Sequence, residues 1–207
     1  MTTETRPIAL VTGASAGIGA ELAARAAADG FDLVLTARRT APLEALAERL
    51  RKRYGAESTI IAADLATARG PAGLLKEIAG RGLAIDVLVN NAGFGAAGRF
   101  DMMDAKTVDG MIAVNIAAVT RLARALLPGM LERPRGGVLN VASTAAFQPG
   151  PMMAVYYATK SYVLSFSEAR WEETRGSGVT VTALCPGPTR TEFQARAKME
   201  DMPLFRG

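Results

Sequence analysis

Short runs of aliphatic and β-branched residues alternate along this chain with longer stretches of helical composition. The alternation is typical of a parallel sheet that carries helices on both faces. Predicted strands cover residues 8–11, 33–36, 59–62, 87–89, 138–141 and 179–184. Predicted helices cover residues 17–28, 42–53, 68–79, 105–131 with local breaks, and 156–175. We therefore predict an α/β protein in which residues 1–207 form one domain, since 207 residues with 49% hydrophobic content can build one core.

Connections between parallel strands are right-handed, which limits the order of these six strands. The expected arrangement is a doubly wound sheet of order 3-2-1-4-5-6, with a crevice at the carboxyl ends of strands 1 and 4. Conspicuous polar and glycine-rich motifs follow strands 1, 4, 5 and 6, and so fall at that edge. The sequence thus predicts a binding site at the carboxyl edge of the sheet.

The turn after the first strand reads Thr12-Gly13-Ala14-Ser15-Ala16-Gly17-Ile18-Gly19. Glycines between a strand and a helix allow a tight turn and let the backbone approach a pyrophosphate at the helix N-terminus. The spacing G-x-x-x-G-x-G differs from the common G-x-G-x-x-G. Alone, such a turn is weak evidence for a dinucleotide site.

Tyr156 and Lys160 are separated by four residues in a predicted helix, so both point to one face. A fixed ammonium beside a phenol favours the phenolate and lowers the pKa of the tyrosine. This pair therefore indicates proton transfer near neutral pH. Tyr157 is rotated by about a hundred degrees from that face and is not the predicted acid.

The chain has no histidine and one cysteine, Cys185. The absence of histidine removes the commonest general base and the commonest metal ligand, and a single cysteine excludes an internal disulfide. We predict no metal site, and we interpret Cys185 as a small buried core residue. Catalysis by tyrosine and lysine is favoured over a Ser-His-Asp hydrolase.

The formal net charge is +4, but basic and acidic residues are interspersed along the predicted helices. This pattern favours solvated helix faces over nucleic-acid binding. Residues 1–7 lack the features of a signal peptide, and the apolar stretch 111–118 is broken by Asn115. We therefore expect a cytoplasmic protein with no leader, no membrane span and no nucleic-acid partner.

The ordered set of motifs resembles the short-chain dehydrogenase/reductase family from residue 8 to about residue 193. The residues that carry the resemblance are the glycine turn, Asn90-Asn91-Ala92-Gly93, Asn115, Ser143, Tyr156, Lys160 and Pro186-Gly187-Pro188-Thr189. The resemblance implies a Rossmann-like fold and a nicotinamide-dependent oxidoreductase. Its substrate would be a carbonyl compound or a secondary alcohol, small or medium in size and apolar.

The resemblance also implies the catalytic roles. Ser143 would donate a hydrogen bond to the substrate oxygen, and Tyr156 would protonate it. Lys160 would lower the pKa of the tyrosine and hold the cofactor ribose, and Asn115 would kink its helix and hold a water that passes protons to Lys160. Taken singly, Ser143 could instead cap a turn and Asn115 could satisfy a backbone group.

A further set of residues is implied in cofactor binding by the same resemblance. It comprises Gly13, Ser15, Gly17, Ile18, Gly19, Arg38, Asp64, Leu65, Asn91, Ala92, Gly93, Tyr156, Lys160, Pro186, Gly187 and Thr189. Asp64 and Leu65 would contact the adenine and Thr189 the carboxamide, although Asp64 could instead cap the next helix.

The end of strand 2 bears on the choice between NADP(H) and NAD(H). Ala37 stands where an acid would bind the ribose hydroxyls, and Arg38 and Arg39 follow it. A guanidinium binds a phosphate in a fork, so we predict that NADP(H) is preferred and that Arg38 makes the contact. The alternative is that both arginines merely face water in a loop.

Five apolar residues near the motif loops are Phe94, Phe147, Met152, Met153 and Phe193. They fit an adaptable substrate pocket and core packing equally well.

The resemblance weakens at residues 191–207, where the family has a substrate-covering helix pair, another helix and a seventh strand. We expect these elements to be absent, as in a short form or a fragment. The long helices 105–131 and 156–175 would still form a homodimer or tetramer. A non-catalytic dinucleotide-binding module or redox sensor is the alternative to an enzyme.

Overall fold

Residues 6–189 are described by the computed structural model, in which six strands form one parallel sheet. The strands are β1 (Ile8–Thr12), β2 (Asp32–Ala37), β3 (Ser58–Ala62), β4 (Ile85–Asn90), β5 (Gly136–Val141) and β6 (Val179–Leu184). Their spatial order is β3-β2-β1-β4-β5-β6, and every neighbouring pair is parallel. The predicted doubly wound topology is confirmed.

Helices connect these strands. They are α1 (Gly17–Ala28), α2 (Ala41–Tyr54), α3 (Gly70–Gly80), α4 (Ala105–Ile112), α5 (Val119–Glu132) and α6 (Ala154–Glu173). Two short 3₁₀ helices cover Phe100–Met102 and Thr144–Phe147. Gly55 ends α2 with φ of +65°, a left-handed conformation that glycine adopts without steric cost.

Buried aliphatic side chains fill both faces of the sheet. Leu10, Val34 and Leu88 belong to one core cluster, and their strand neighbours such as Val11 and Leu35 belong to the cluster on the other face. A strand buried on both faces has a continuous apolar sequence, which explains why the strands read as short hydrophobic runs. The core therefore leaves the strand ends, where the motifs lie, as the place for polar chemistry.

The predicted helix over residues 105–131 is interrupted at its centre by a π-helical segment, Ala113–Ala118. α4, this segment and α5 form a continuous helix, Ala105–Glu132, in which an 18-residue window has a mean hydropathy of 1.5 and is 39% buried. By length and composition this helix could cross a membrane, which the sequence-based prediction had excluded. Its buried residues Ala118, Leu122 and Met130 pack in the core beside the sheet.

Below the carboxyl edge, a buried chain of polar side chains joins β4, β5 and α6. Asn90 Nδ2 donates to Asn140 Oδ1 at 2.9 Å, and Asn140 Nδ2 donates to Ser167 Oγ at 2.9 Å. Ser167 in turn donates to the carbonyl of Val163. Asn140 has no exposed surface, and its side-chain amide joins Asn90 to Ser167. This chain fixes α6 against the sheet.

We expect Asn140→Leu to lower the free energy of unfolding by about 2 kcal/mol, because buried Asn90 loses its hydrogen bond to Asn140 and buried Ser167 keeps only its bond to Val163. Urea denaturation measures the change. Thr182→Val at an exposed position of β6 is the matched control and should stay within about 0.5 kcal/mol. Equal stability of Asn140→Leu and the control would contradict a structural role for this chain.

Candidate active site

The turn between β1 and α1 is held in a conformation that requires glycine. Gly13 and Gly17 have φ of +66° and +56°. A Cβ on Gly13 would lie 2.9 Å from Ala92 Cα, and one on Gly19 would overlap the carbonyl of Gly13 and the side chain of Asn91. The glycine turn is thus pressed against the turn that follows β4, and both turns leave their backbone open to the crevice.

Thr12 and Asn91 tie these two turns together. The Thr12 hydroxyl accepts hydrogen bonds from the backbone of Asn91 at 2.9 Å and of Ala92 at 3.0 Å. Asn91 Nδ2 donates to the carbonyls of Thr12 at 2.9 Å and Gly13 at 3.2 Å. Asn91 therefore positions the glycine turn. Thr12 was not among the predicted site residues, although the hydroxyl directly before the first glycine was visible in the sequence.

The N-terminus of α1 opens on the same crevice. Within residues 6–189, no side chain caps this helix at Ala16, and its first turn carries no acidic residue. Backbone N–H groups at such an end favour an anion. The glycine cradle and the uncapped helix end fit the pyrophosphate of a dinucleotide.

A cavity of about 520 Å³ runs from this turn to α6. All the residues predicted to bind a cofactor line it: Gly13, Ser15, Gly17, Ile18, Gly19, Arg38, Asp64, Leu65, Asn91, Ala92, Gly93, Tyr156, Lys160, Pro186, Gly187 and Thr189. The predicted catalytic Ser143 lines it too. The structure thus brings these residues together, while their roles stay predictions.

Asp64 does not cap the helix that follows it. α3 begins at Gly70, two residues later than predicted, and its N-cap position is Arg69. Asp64 Oδ1 instead accepts a hydrogen bond from the backbone of Ala66 at 3.0 Å, which closes a local turn at the cavity wall. The helix-capping alternative for Asp64 is therefore wrong.

Tyr156 and Ser143 meet in the cavity. A hydrogen bond with the Ser143 side chain favours the Tyr156 phenolate, but burial is the larger effect and raises the pKa of Tyr156 above its ordinary value. Ser143 Oγ also accepts from the backbone of Ala145 at 3.1 Å. Ser143 thus caps the 3₁₀ helix after β5 and contacts the phenol as well, so both readings of this residue describe it.

Lys160 is only 6% exposed. Its Nζ donates to the carbonyl of Val141 at 2.7 Å and lies 5.8 Å from the centroid of the Tyr156 ring. Burial disfavours the ammonium and lowers the pKa of Lys160 to about 8, and the electrostatic interaction with Cys185 partly opposes this shift. The predicted lowering of the Tyr156 pKa by Lys160 is wrong for this structure, because burial of the phenol determines the net direction.

Asn115 lies within the π-helical segment and is buried. Its Oδ1 accepts from Phe94 N at 3.1 Å, and its Nδ2 donates to Phe94 O at 2.9 Å and to Thr159 Oγ1 at 3.0 Å. A π-helical turn stands where a kink was predicted. Asn115 therefore satisfies backbone groups, as its structural alternative proposed, and it joins the turn after β4 to α6. Its predicted role in holding a water stays a prediction.

Several apolar predictions need correction. Phe94 and Met153 line the cavity, whereas Phe147 is 67% and Met152 50% exposed and neither lines it. Phe193 lies outside the described residues. Cys185 is half-buried, not fully buried as predicted. Tyr157, which was not predicted as a site residue, lines the cavity beside Tyr156.

In the part of the chain that the structure describes, no group of three or more His, Cys, Asp or Glu side chains could hold a metal ion. The Tyr156 phenol, the Ser143 hydroxyl and the Lys160 amine belong to residues that line the cavity.

A sequence model described as short chain dehydrogenase matches residues 7–201 of this chain. A very-long-chain 3-oxoacyl-CoA reductase from Anas platyrhynchos is 35% identical over 199 residues, which are 92% of this chain and 62% of that protein. The chain thus spans less than two thirds of that curated relative.

Solved structures are similar over most of the chain. A short-chain dehydrogenase from Sphingobium yanoikuyae in complex with NADPH is 40% identical, with a TM-score of 0.88 over 95% of this chain and 77% of that one. A bulky-bulky ketone specific alcohol dehydrogenase from Comamonas testosteroni is 36% identical, with a TM-score of 0.83 over 89% of this chain and 74% of that one. Other similar structures contain NADP or NAD.

Proposed function

This chain belongs to the short-chain dehydrogenase family, and from that premise we propose that it is an NADP(H)-dependent oxidoreductase that interconverts an apolar carbonyl compound and its alcohol. The observation that carries the proposal is the meeting of Tyr156, Ser143 and Lys160 at one end of a cavity whose other end is the glycine cradle. A dinucleotide that spans the cavity would place its reactive ring beside the phenol.

Three sets of residues would bind the three main parts of the dinucleotide. The glycine turn and the start of α1 would bind the pyrophosphate, Asp64 and Leu65 would lie at the adenine, and residues 186–189 would lie at the nicotinamide. Lys160 would hold the ribose next to the nicotinamide. When bound, the nicotinamide supplies a hydride to a carbonyl carbon or accepts one from an alcohol.

Tyr156 would give its phenolic proton to the carbonyl oxygen as that oxygen gains negative charge. Ser143 would donate a hydrogen bond to the same oxygen, which stabilises the charge before the proton arrives. The raised pKa of Tyr156 keeps the phenol protonated at neutral pH, and a protonated phenol suits reduction. Lys160, with a pKa of about 8, would return a proton to the phenol at physiological pH.

The preference for NADP(H) would come from Arg38 at the end of β2. Arg38 lines the cavity, and Ala37 beside it contributes no carboxylate that would repel a phosphate. A guanidinium and a ribose phosphate form charge-assisted hydrogen bonds, which are among the stronger polar contacts.

We expect Arg38→Ala to raise the dissociation constant of NADPH by roughly tenfold to a hundredfold and to leave that of NADH within about twofold. Fluorescence titration of each dinucleotide measures both constants. Arg49→Ala is the matched control, because Arg49 is exposed on α2 and does not line the cavity, and it should leave both constants within about twofold. Wild-type protein that binds NADH as tightly as NADPH would refute the preference.

We propose a cytoplasmic homodimer or tetramer that forms through the long helices, on which Ile112, Leu131, Tyr162 and Trp171 are exposed. Apolar side chains at such positions favour burial by a second copy. Light scattering of the purified protein tests this, and a monomer would contradict it.

The function is tested by measuring NADPH oxidation with a panel of aldehydes and ketones. The loss of NADPH absorbance is compared between the wild type and the Tyr156→Phe variant. Turnover that depends on Tyr156 supports the reductase. Tight NADPH binding without turnover of any carbonyl compound would instead favour a dinucleotide sensor.

A further inference from the structure

We propose that the ring of Tyr157, held in place by Gly150, forms a wall of the substrate site and selects ketones that carry an aromatic or similarly broad apolar group. The inference rests on the proposed function for the reaction, but it concerns a residue outside the proton-transfer group. The supporting observations are the position of the ring, its packing and the clamping of the loop behind it.

Tyr157 lies beside the proposed proton donor Tyr156 in the cavity. Its ring packs edge-on against the Tyr156 ring, with 6.1 Å between the centroids and an interplanar angle of 77°. Both side chains line the cavity, and Tyr157 joins Met153 and Phe94 in one apolar cluster around Tyr156. A carbonyl group that reaches the Tyr156 hydroxyl would therefore have one of its substituents close to the Tyr157 ring.

Gly150 leaves the space that this ring occupies. A Cβ at Gly150 would overlap the Tyr157 ring, and its three nearest atoms are all in that side chain. Gly150 does not have a positive φ, so its backbone permits alanine. The ring is thus the specific obstacle to a side chain at position 150.

The loop that carries Gly150 is held by one hydrogen bond to another loop and by one within itself. Met152 O accepts a hydrogen bond from Gly98 N at 2.7 Å, and Met153 N donates to Gly150 O at 3.0 Å. Met152 has φ of +67°, which non-glycine residues rarely adopt. Because these hydrogen bonds hold the loop backbone in place, an added methyl group at position 150 should displace the Tyr157 ring.

A second aromatic side chain has the same kind of support. Phe94 lines the cavity and belongs to the same cluster, and a Cβ at Gly110 would lie 3.1 Å from its Cζ atom. The Phe94 backbone is fixed by Asn115. Aromatic side chains backed by glycines make a rigid apolar site, which favours broad, flat substituents over short flexible ones.

The test compares acetophenone with butanone, two methyl ketones that differ in the second substituent. In Tyr157→Ala, we expect kcat/KM for acetophenone relative to butanone to fall about tenfold, because the phenyl group loses its wall. Tyr157→Phe keeps the ring and should keep the ratio within about twofold. Gly150→Ala should lower the ratio as Tyr157→Ala does.

The double variant Gly150→Ala/Tyr157→Ala is decisive for the mechanism. If the methyl group acts by displacing the ring, the double variant equals Tyr157→Ala, because no ring remains to displace. A further fall of the ratio in the double variant would overturn the packing argument. An unchanged ratio in Tyr157→Ala would overturn the proposal itself. Melting temperatures of the variants identify any loss of fold.

A binding measurement separates this proposal from the proposed function. Calorimetry gives the dissociation constant of acetophenone for the complex of the protein with NADP⁺, in which no turnover occurs. The expected result is weaker binding by about tenfold in Tyr157→Ala and Gly150→Ala and unchanged binding in Tyr157→Phe. Equal binding in all variants would contradict the proposal that the Tyr157 ring forms a wall of the substrate site. Failure of wild-type turnover on both ketones would contradict the proposed reaction alone.

Discussion

Replacement of Tyr156 by phenylalanine is expected to lower kcat about a thousandfold while the dissociation constant of NADPH changes less than about threefold. The substitution removes only the phenolic oxygen, and the ring keeps its packing beside Tyr157 and Met153. The carbonyl oxygen would then gain charge without the phenolic proton, and the chain has no histidine to replace it. Steady-state kinetics and a dinucleotide titration measure the two quantities.

Tyr157→Phe is the matched control for Tyr156→Phe, since it removes the same atom from the adjacent ring. Its kcat should stay within about threefold of the wild type, because Tyr157 contributes its ring and not its hydroxyl. Comparable losses in the two variants would refute the assignment of Tyr156 as the proton donor. A parallel loss of NADPH binding in Tyr156→Phe would indicate a binding role.

Lys160→Met is expected to stabilise the protein and to lower its activity. Burial lowers the pKa of Lys160 from 10.5 to about 8, so the folded state must hold a charge that it disfavours. The buried ammonium therefore destabilises the folded state by roughly 3 kcal/mol, and Lys160→Met removes this cost. The variant also loses the hydrogen bond to Val141, which costs about 1 kcal/mol. We therefore expect the free energy of unfolding at pH 7 to rise by about 2 kcal/mol, and kcat/KM to fall by at least about a hundredfold.

The pH dependence of this stabilisation has a definite sign. Between pH 8 and pH 10.5 the unfolded chain keeps the Lys160 proton and the folded chain loses it. The free energy of unfolding of the wild type should therefore rise as the pH rises through this window. The difference in stability between Lys160→Met and the wild type should shrink accordingly. Below pH 8 the cost of the buried charge is fully present.

Urea denaturation of the ligand-free protein at several pH values measures this effect. Lys76→Met is the matched control because Lys76 is exposed on α3, and it should change stability by less than about 0.5 kcal/mol. A Lys160→Met variant that is less stable than the wild type at pH 7 would show that the amine contributes more through its hydrogen bond than its burial costs.

The sheet order was predictable because chain-level rules determine it. Right-handed crossovers and short apolar runs predicted the order 3-2-1-4-5-6, and the structure has it. The same rules predicted that Gly13, Asn91, Ser143 and Pro186 would meet at one edge, since parallel strands end together. Helical periodicity predicted that Tyr156 and Lys160 would enter the same cavity.

Properties that depend on burial were not predictable in this way. The spacing of Tyr156 and Lys160 suggested a lowered phenol pKa, but the pKa depends on how deeply each group is buried, which spacing does not report. Phe147 and Met152 are near the motifs in sequence but are exposed, whereas Tyr157 lines the cavity because Gly150 leaves space for its ring. Side-chain packing decides such cases, and the sequence pattern specifies only proximity along the chain.

The most direct test of the central claim is transfer of deuterium from C4 of labelled NADPH to acetophenone, with the product analysed by mass spectrometry. The account predicts that 1-phenylethanol carries the label at its carbinol carbon, and that Tyr156→Phe forms this product far more slowly. Tight NADPH binding with no labelled alcohol from acetophenone or any other carbonyl compound would contradict the assignment as a reductase and would favour a dinucleotide-binding module without catalysis.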